Sequence, residues 1–275
     1  MTDNLFCNEG KDGFINWQLG YSLTFCFEID VSEIKKILPR SLIPLEVRPG
    51  VGILEIAISK FPDGNLGCLP AFNEVSWCIF VHQNLRKRAP NGTKRAAFIS
   101  AYMLGVAGDN DGFLKHAYLI DKMPIYICKN LVIENTGMKD GNHDALVYDD
   151  RGKIANLKWT YPNFPTNRFE KKDYFIQVYI GHEGNLYYLS VLATGKIFIH
   201  QKTENAGKLY PHPIFRGLDL SKVSSYCNSQ FVAIDFKRYA FYTPEYLSPL
   251  GPKDFDPTKD NESEIKEFLV SVKSY

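Results

Sequence analysis

Apolar and polar residues alternate with a period of two along most of this chain, which is the pattern of a β-strand with one buried face. The alternating segments are rich in Val, Ile, Phe, Tyr and Thr, and Gly, Pro and Asn separate them. A chain with many such segments usually closes an antiparallel β-barrel or packs two sheets together. We therefore predict a mainly β protein that either closes a barrel or packs as two sheets, with strands at 21–29, 52–59, 73–85, 95–106, 125–134, 145–148, 153–161, 174–180, 186–194, 196–200 and 230–242.

Three segments have the period of a helix, which adds a few peripheral helices to the predicted sheet. Residues 31–38 follow Asp30, a capping residue, and carry a glutamate three residues after it and one apolar face. Residues 114–121 form the second predicted helix. Residues 262–272 form the third, with an apolar stripe that is suited to pack on the sheet.

Length and composition are consistent with a single domain over residues 1–275. The 275 residues, 45% of them hydrophobic, suffice to bury a full core without disulfides or metals. Residues 247–259 are rich in Pro, Gly and Asp, so they predict an extended linker to the last helix and not a domain boundary. The 32 Lys and Arg residues balance 31 Asp and Glu residues, so no strong field exists to bind nucleic acid or an anionic membrane, and neither partner is predicted.

The sequence predicts neither a metal site nor a cofactor. The six cysteines include no Cys-x-x-Cys pair and the six histidines have no ligand spacing. Scattered thiols are typical of a reducing compartment. The first residues do not have the basic and apolar regions of a signal peptide, and no apolar run is long enough to span a membrane. We therefore expect a soluble, cytoplasmic protein.

Lys129 is the first candidate for chemistry because it lies in the predicted strand 125–134. Burial disfavours the charged ammonium form of a lysine, and a neutral amine can attack a carbonyl to form a Schiff base. The same pattern fits a lysine whose end reaches solvent at a sheet edge, or a strand buried on its other face. Alternation places Lys129 on one face with four apolar residues: Ile125, Ile127, Leu131 and Ile133.

Two glutamates are candidates for proton transfer. Glu55 interrupts the apolar segment 53–58, and Glu74 stands near the start of the predicted strand 73–85. In a barrel, a row of small and polar side chains is consistent with a ligand cavity, whereas in an open sheet the same row faces water. Both interpretations remain open for the row that alternation groups with Glu74, which consists of Ser76, Cys78, Phe80 and His82.

Several short segments in the first half of the chain carry a resemblance to a known family. Residues 30–44 read DVSEIKKILPRSLIP, a helix followed by a Leu-Pro pair and a proline turn. Residues 53–58 and 72–75 each carry a glutamate, and after a short helix residues 127–131 read ICKNL. In this order they resemble the first helix, two glutamate segments and Tyr-Pro-Lys-Lys-Leu segment of acetoacetate decarboxylase-like proteins. The resemblance covers about residues 20–135.

The resemblance implies a mainly antiparallel β-barrel, closed or partly closed, and roles for three residues. Lys129 matches the Schiff-base lysine of the family, and Glu55 and Glu74 match glutamates of its active site. The implied function is a lyase of the decarboxylase type that acts on a small carbonyl or β-keto substrate, and such barrels tend to form homo-oligomers. Aldol, dehydration or cyclisation chemistry in secondary metabolism is a second possibility, and a non-catalytic small-molecule-binding barrel is the alternative from another class.

The chain departs from the family pattern around its lysine and its first strand. Asn130 replaces the second lysine of the family, Cys128 replaces a proline, and no basic residue stands near Tyr21. A neighbouring cation is one way to lower the pKa of a lysine and so activate its amine. Because that cation is absent here, burial is the remaining way to lower the pKa of Lys129. Asn130 and Tyr21 are predicted to contact the substrate from these positions, and His82 is predicted to do so because it shares a face with Glu74.

Overall fold

The structure is a computed structural model that describes residues 14–65, 69–83, 97, 99–135, 142–160, 168–203, 206–215 and 217–272. Its strands are β1 (Phe14–Asp30), β2 (Val51–Phe61), β3 (Phe72–Phe80), β4 (Ile99–Gly108), β5 (Val132–Asn135), β6 (Asn142–Asp149), β7 (Gly152–Thr160), β8 (Arg168–His182), β9 (Asn185–Thr203), β10 (Gly207–Leu209), β11 (Val223–Tyr242) and β12 (Glu245–Pro249). The α-helices within these ranges are α1 (Val31–Ile37), α2 (Asp111–Leu119) and α3 (Glu262–Ser271). The prediction of a mainly β protein with a few helices is confirmed. In the described ranges, none of the helices has the length and apolar character needed to cross a membrane.

Eight strands form one large sheet in the order β11-β1-β2-β3-β4-β8-β9-β12, and β11 pairs with β9 as well as with β1. Most neighbours are antiparallel, as predicted, but β4 and β8 run parallel, with Ile99 opposite Ile176. A parallel pair needs a crossover connection. Here the connection contains α2, β5, β6 and β7. These three strands belong to a second, four-stranded sheet with the order β10-β7-β6-β5. The large sheet is therefore mixed, with one parallel pair among antiparallel neighbours, and closure into a barrel stays a prediction.

The three predicted helices are present, with ends that differ by a few residues. α1 begins where the sequence predicts it, because the Asp30 carboxylate accepts a hydrogen bond from the Ser32 backbone N–H at 2.7 Å. α2 begins three residues earlier than predicted, because Asn110 is its cap and accepts a hydrogen bond from the Phe113 backbone N–H at 2.9 Å. α3 ends one residue before the predicted helix does.

The two faces of the large sheet bury different groups of side chains. One face, represented by Phe25, Leu54 and Trp77, packs against α1 and the second sheet. The other face contributes to a cluster around Trp17 that includes residues of α2 and α3. Gly105 of β4 lies against Trp77, and a Cβ at Gly105 would come within 2.1 Å of the indole ring. The close packing of β4 on Trp77 therefore requires glycine at this position.

The bounds of several predicted strands are corrected by the structure. The predicted strands 186–194 and 196–200 are one strand, β9, and the predicted linker 247–259 begins inside β12. Only the end of the predicted strand 125–134 is a strand, namely β5. Before it the backbone makes a single bridge, from Ile125 to Val106. Parts of other predicted strands lie outside the described residues, at 84–85, 95–96, 98 and 161.

Candidate functional site

A cavity of about 140 Å³ lies on the face of the large sheet that points away from α1. Its wall comes mainly from alternate residues of β1 to β4, β8 and β9, which is the consequence of the period of two in those strands. Of the two interpretations of the row that contains Glu74, the structure supports the cavity. Among the described lining residues, most are apolar, and the polar ones are Ser22, Thr24, Glu55, Ser59, Glu74, Ser76, Cys78 and Tyr174.

The strand register sets the polar side chains in rows across the cavity wall. Glu55 of β2 lies directly between Cys26 of β1 and Cys78 of β3. Four residues further along β2, Ser59 lies opposite Glu74 of β3. At about 3.4 Å per residue and 4.8 Å between strands, the Cα atoms of the two glutamates are about 14 Å apart. The two carboxyl groups therefore occupy different ends of the cavity.

Glu55 is a partly buried acid with one oxygen available to a ligand. Burial raises the pKa of its carboxyl from the ordinary 4.5 to about 7, and a hydrogen bond with the Cys78 thiol offsets part of this effect. Its Oε2 atom is buried and has no hydrogen-bond partner among the described residues. Burial, followed by the neighbouring Glu55 charge, raises the pKa of the Cys26 and Cys78 thiols. Both thiols therefore stay protonated, and a proton can move on or off Glu55 near neutral pH.

Glu74 is the second acid at the cavity and is also partly buried, and a further carboxyl group lies close to it. Burial raises the pKa of Glu74 to about 7, the Ser76 hydroxyl lowers it by hydrogen bonding, and the negative charge of Asp121 raises it. Asp121 is buried and lies 3.5 Å from the Nε2 atom of His116, which is also buried. The His116 ring packs edge-on against Trp17 at 5.4 Å between centroids. The Glu74 end of the cavity is thus acidic and has a His–Asp pair beside it.

Two of the six predicted site residues lie at the cavity, and four do not. Glu55 and Glu74 line it. Lys129 and Asn130 are exposed in the loop before β5, and His82 is exposed beyond the end of β3. Tyr21 packs with the cluster on the α1 side of the sheet, so it faces away from the cavity. Lys129 is therefore not buried, and the strand predicted over residues 125–134 is wrong at this position.

Lys129 belongs instead to an open groove between its loop, the end of β4 and α3. The groove carries charges of both signs, including Asp111, Arg151 and Glu264. Arg151 is held by the Tyr126 hydroxyl at 2.8 Å and by Glu264 at 3.1 Å. The loop leaves its extended path at Asn130, whose φ of 54° is in the left-handed region. This turn ends the alternation from which the strand was predicted.

A buried network anchors the Lys129 loop to the second sheet. The His212 Nδ1 atom accepts a hydrogen bond from the Ile214 backbone N–H, so its Nε2 atom donates to Asp149 at 2.9 Å. The Cys128 thiol lies near the Asp149 carboxylate, and burial followed by the Asp149 charge raises the pKa of that thiol. The thiol therefore stays protonated, and the group is a structural network and not a nucleophilic site.

Sequence reasoning missed the residues that surround the two glutamates. Cys26 lies opposite Glu55, and Ser59 opposite Glu74, through the register of β1, β2 and β3, which alternation within one strand does not reveal. His116 lies on α2, and Asp121 lies in the turn after it. Their position beside Glu74 depends on how α2 packs on the sheet. Within the described residues, no three His, Cys, Asp or Glu side chains are placed to hold a metal ion together.

Comparison with solved structures identifies the fold. A structure of acetoacetate decarboxylase is 12% identical with a TM-score of 0.54, over 90% of this chain and 93% of that one. Acetoacetate decarboxylase from Legionella pneumophila is 14% identical with a TM-score of 0.56, over 90% and 95% of the two chains. The enduracididine biosynthesis enzyme MppR, complexed with pyruvate, is 14% identical with a TM-score of 0.51, over 85% and 91%. No protein-family model and no curated protein sequence matches this chain. The chain has the acetoacetate decarboxylase-like fold, and at this identity the similarity shows the fold alone.

Proposed function

We propose that this chain, which has the acetoacetate decarboxylase-like fold, is an enzyme that moves protons on a small carbonyl compound bound in the interior cavity. The observation that carries the proposal is Glu55. Its carboxyl faces the cavity, has a pKa of about 7, and keeps the Oε2 atom without a hydrogen-bond partner among the described residues. A general acid or base works best when its pKa lies near the working pH.

The proposed step is proton exchange at the carbon next to the carbonyl group. Ionised Glu55 accepts the proton through Oε2, the C–H electron pair forms a C=C bond, and the carbonyl oxygen takes the negative charge. Return of the proton from Glu55 reverses the step. Thr24 lies on the cavity wall two residues from Cys26, and we assign its hydroxyl the role of donating a hydrogen bond to the carbonyl oxygen. Protonation of such a carbanion also completes a decarboxylation, and its formation begins aldol and dehydration reactions.

The position of Lys129 favours a reaction that forms no Schiff base at that residue. The lysine is exposed and lines the groove, whereas Glu55 and Glu74 line the cavity. Lys129 is not among the residues that line the cavity between the two glutamates. Among the described residues that line the cavity there is no lysine to replace it. The carboxyl groups are therefore the proposed catalytic residues.

The strand pairing supports a second part of the proposal, that the large sheet closes around the cavity as a barrel. β11 pairs with β1 through positions such as Leu23 opposite Val232, and with β9 through Val232 opposite Phe198. When one strand pairs with strands from both ends of a sheet, the sheet closes on itself, loses its free edges and encloses a lumen. Enclosure would also exclude bulk water, which is the condition that keeps the pKa of Glu55 and Glu74 high.

The test is deuterium exchange in D2O, followed by proton NMR, on a panel of small neutral ketones and amino ketones. Exchange at the carbon next to the carbonyl is expected with the natural chain and is expected to fall by roughly 100-fold or more in Glu55→Gln. Its rate should rise as pH increases through about 7, since Glu55 must be ionised to accept the proton. Glu267→Gln, an exposed glutamate on α3, is the matched control and should leave the rate unchanged.

Lys129→Ala separates the proposal from the Schiff-base mechanism. We expect this variant to keep full exchange activity, and borohydride reduction of the natural chain with the same panel to leave Lys129 unmodified. Loss of exchange in Lys129→Ala together with a reduced adduct on Lys129 would overturn the proposal. Tight binding of a carbonyl compound without exchange would instead favour the non-catalytic binding barrel. The described lining residues include no lysine, and this observation also favours that alternative.

A further inference from the structure

The two ends of the cavity differ in chemistry. At one end Glu74 lies opposite Ser59, whose hydroxyl donates a hydrogen bond to the Ser22 hydroxyl at 2.9 Å. The negative charge of Asp121 acts on Glu74 at the same end. At the other end Glu55 has thiols on both sides. The wall between the two ends is mostly apolar. A ligand that spans the cavity therefore meets a strongly acidic, hydroxyl-bearing end and a weakly polar end that carries the acid proposed for catalysis.

The charges at the wall disfavour an anion. The titratable groups on the described part of the wall are Glu55, Glu74, Cys78 and Tyr174, and each of these is either neutral or negative. Beside Glu74 lie Asp121 and, paired with it, His116. A carboxylate ligand would bring another negative charge into this mostly apolar cavity, where like charges repel more strongly than in water. An ammonium group would instead take the place of the proton that Glu74 otherwise binds.

The cavity is small enough to limit the ligand to a short chain. Its volume of about 140 Å³ is close to the roughly 150 Å³ that accommodates one benzene molecule in a well-studied engineered cavity. A ligand of about six or seven non-hydrogen atoms fits this space. That size allows a short carbon chain with one polar group at each end.

We infer that the substrate is a small amino carbonyl compound whose ammonium group binds to Glu74, at the end of the cavity beside Asp121, and whose carbonyl group points to Glu55. This inference rests on the proposal that the cavity is the substrate site. No covalent bond changes on binding of the ammonium group, and the proton displaced from Glu74 passes to solvent. Selectivity for a positive charge is thus a property of one end of the cavity and is separate from proton exchange at the other end.

The test compares three probes that share a four-carbon chain: butan-1-amine, butan-1-ol and butanoate. Their binding is measured at pH 8 by ligand-observed NMR titration with the full chain. The amine is expected to bind at least about ten-fold more tightly than the alcohol, which corresponds to about 1.4 kcal/mol, and butanoate is expected to bind most weakly. Affinity for the amine should rise from pH 6 to pH 8, because Glu74 ionises over that range.

Variants assign the preference to one end of the cavity. Glu74→Gln should abolish the preference for the amine, Glu55→Gln should retain it, and Glu267→Gln should behave as the natural chain. Thermal unfolding of each variant checks that it is folded. Equal or tighter binding of butanoate, or a preference that survives Glu74→Gln in a folded variant, would overturn the inference, and so would the failure of all three probes to bind.

The same data separate this inference from the proposed function. If the amine binds selectively through Glu74 but no ketone exchanges deuterium, the charge preference stands and the proposed function fails. If neutral ketones exchange deuterium through Glu55 and the amine has no advantage, the proposed function stands and the charge preference fails. Each result is read from a different measurement, so neither depends on the other.

Discussion

Replacement of Glu55 by glutamine is expected to stabilise the folded protein at pH 8 and to change its stability little at pH 5. The folded protein holds the Glu55 proton up to a pKa of about 7, whereas the ordinary value is 4.5. The folded state therefore binds more protons than the unfolded state between these values, and its stability falls as pH rises from about 4.5 to about 7. Above that range both states are ionised and the loss is constant. Glutamine has a similar shape and stays neutral, so it removes this loss.

The size of the effect follows from the two pKa values. Each pH unit between them corresponds to about 1.4 kcal/mol, so the ionised carboxyl destabilises the fold by about 3 kcal/mol at pH 8 and by less than about 1 kcal/mol at pH 5. For a chain of this length, that gain at pH 8 corresponds to a rise in Tm of roughly 6–12 °C. Glu74→Gln should act in the same way, and the two gains should add because the sites are well separated.

The assay is urea unfolding followed by tryptophan fluorescence at pH 5 and pH 8, with Glu267→Gln as the exposed control. The reasoning requires a free energy of unfolding that depends on pH in the natural chain and depends on it less in Glu55→Gln. A Glu55→Gln variant that is no more stable than the natural chain at pH 8 would refute it. An equal gain at both pH values would do so too, since it would mean that better packing and not the buried charge causes the change.

Three further substitutions or treatments test other parts of the structure. Gly105→Ala should lower the free energy of unfolding by about 1–3 kcal/mol, because the added Cβ collides with Trp77, and an unchanged urea midpoint would contradict this close approach. Asp149→Ala should lower the free energy of unfolding by about 1–3 kcal/mol for each buried donor that it leaves unpaired, and His212 is the main such donor. A decrease below about 1 kcal/mol would show that the network does not hold the loop. Cys78 should resist alkylation by iodoacetamide at pH 8 in the folded protein but react after unfolding, and rapid reaction of the folded protein, detected by peptide mass, would be inconsistent with its raised pKa.

The parts of the site that lie within single strands could be predicted from the sequence. Alternation alone groups Glu74 with Ser76 and Cys78, and the structure places these three side chains at the cavity. What alternation could not decide is whether that row faces a lumen or water, because the answer depends on the other strands of the sheet. The helix after Asp30 was also predictable, since its cap and apolar face are local features.

The position of Lys129 could not be predicted because the apolar residues around it alternate as they would in a strand. Leu131 and Tyr126 are buried on one side of their segment and Ile125 belongs to a different cluster, so the apolar positions face two separate cores. One left-handed residue, Asn130, then redirects the chain. Asparagine tolerates this conformation better than most residues, which is the signal in the sequence that argued against a continuous strand.

The pairing of β1 with both β2 and β11 has a consequence for how the protein is made. β2 follows β1 closely in the chain, but Leu23 of β1 pairs with Val232 of β11, about 200 residues later. During synthesis the ribosome releases β1 and β2 long before β11 exists, so one edge of β1 stays unpaired while most of the chain is translated. An unpaired apolar edge invites association with other chains. Productive folding of this protein is therefore completed only when its last third has emerged, and a chain interrupted before β11 is expected to aggregate.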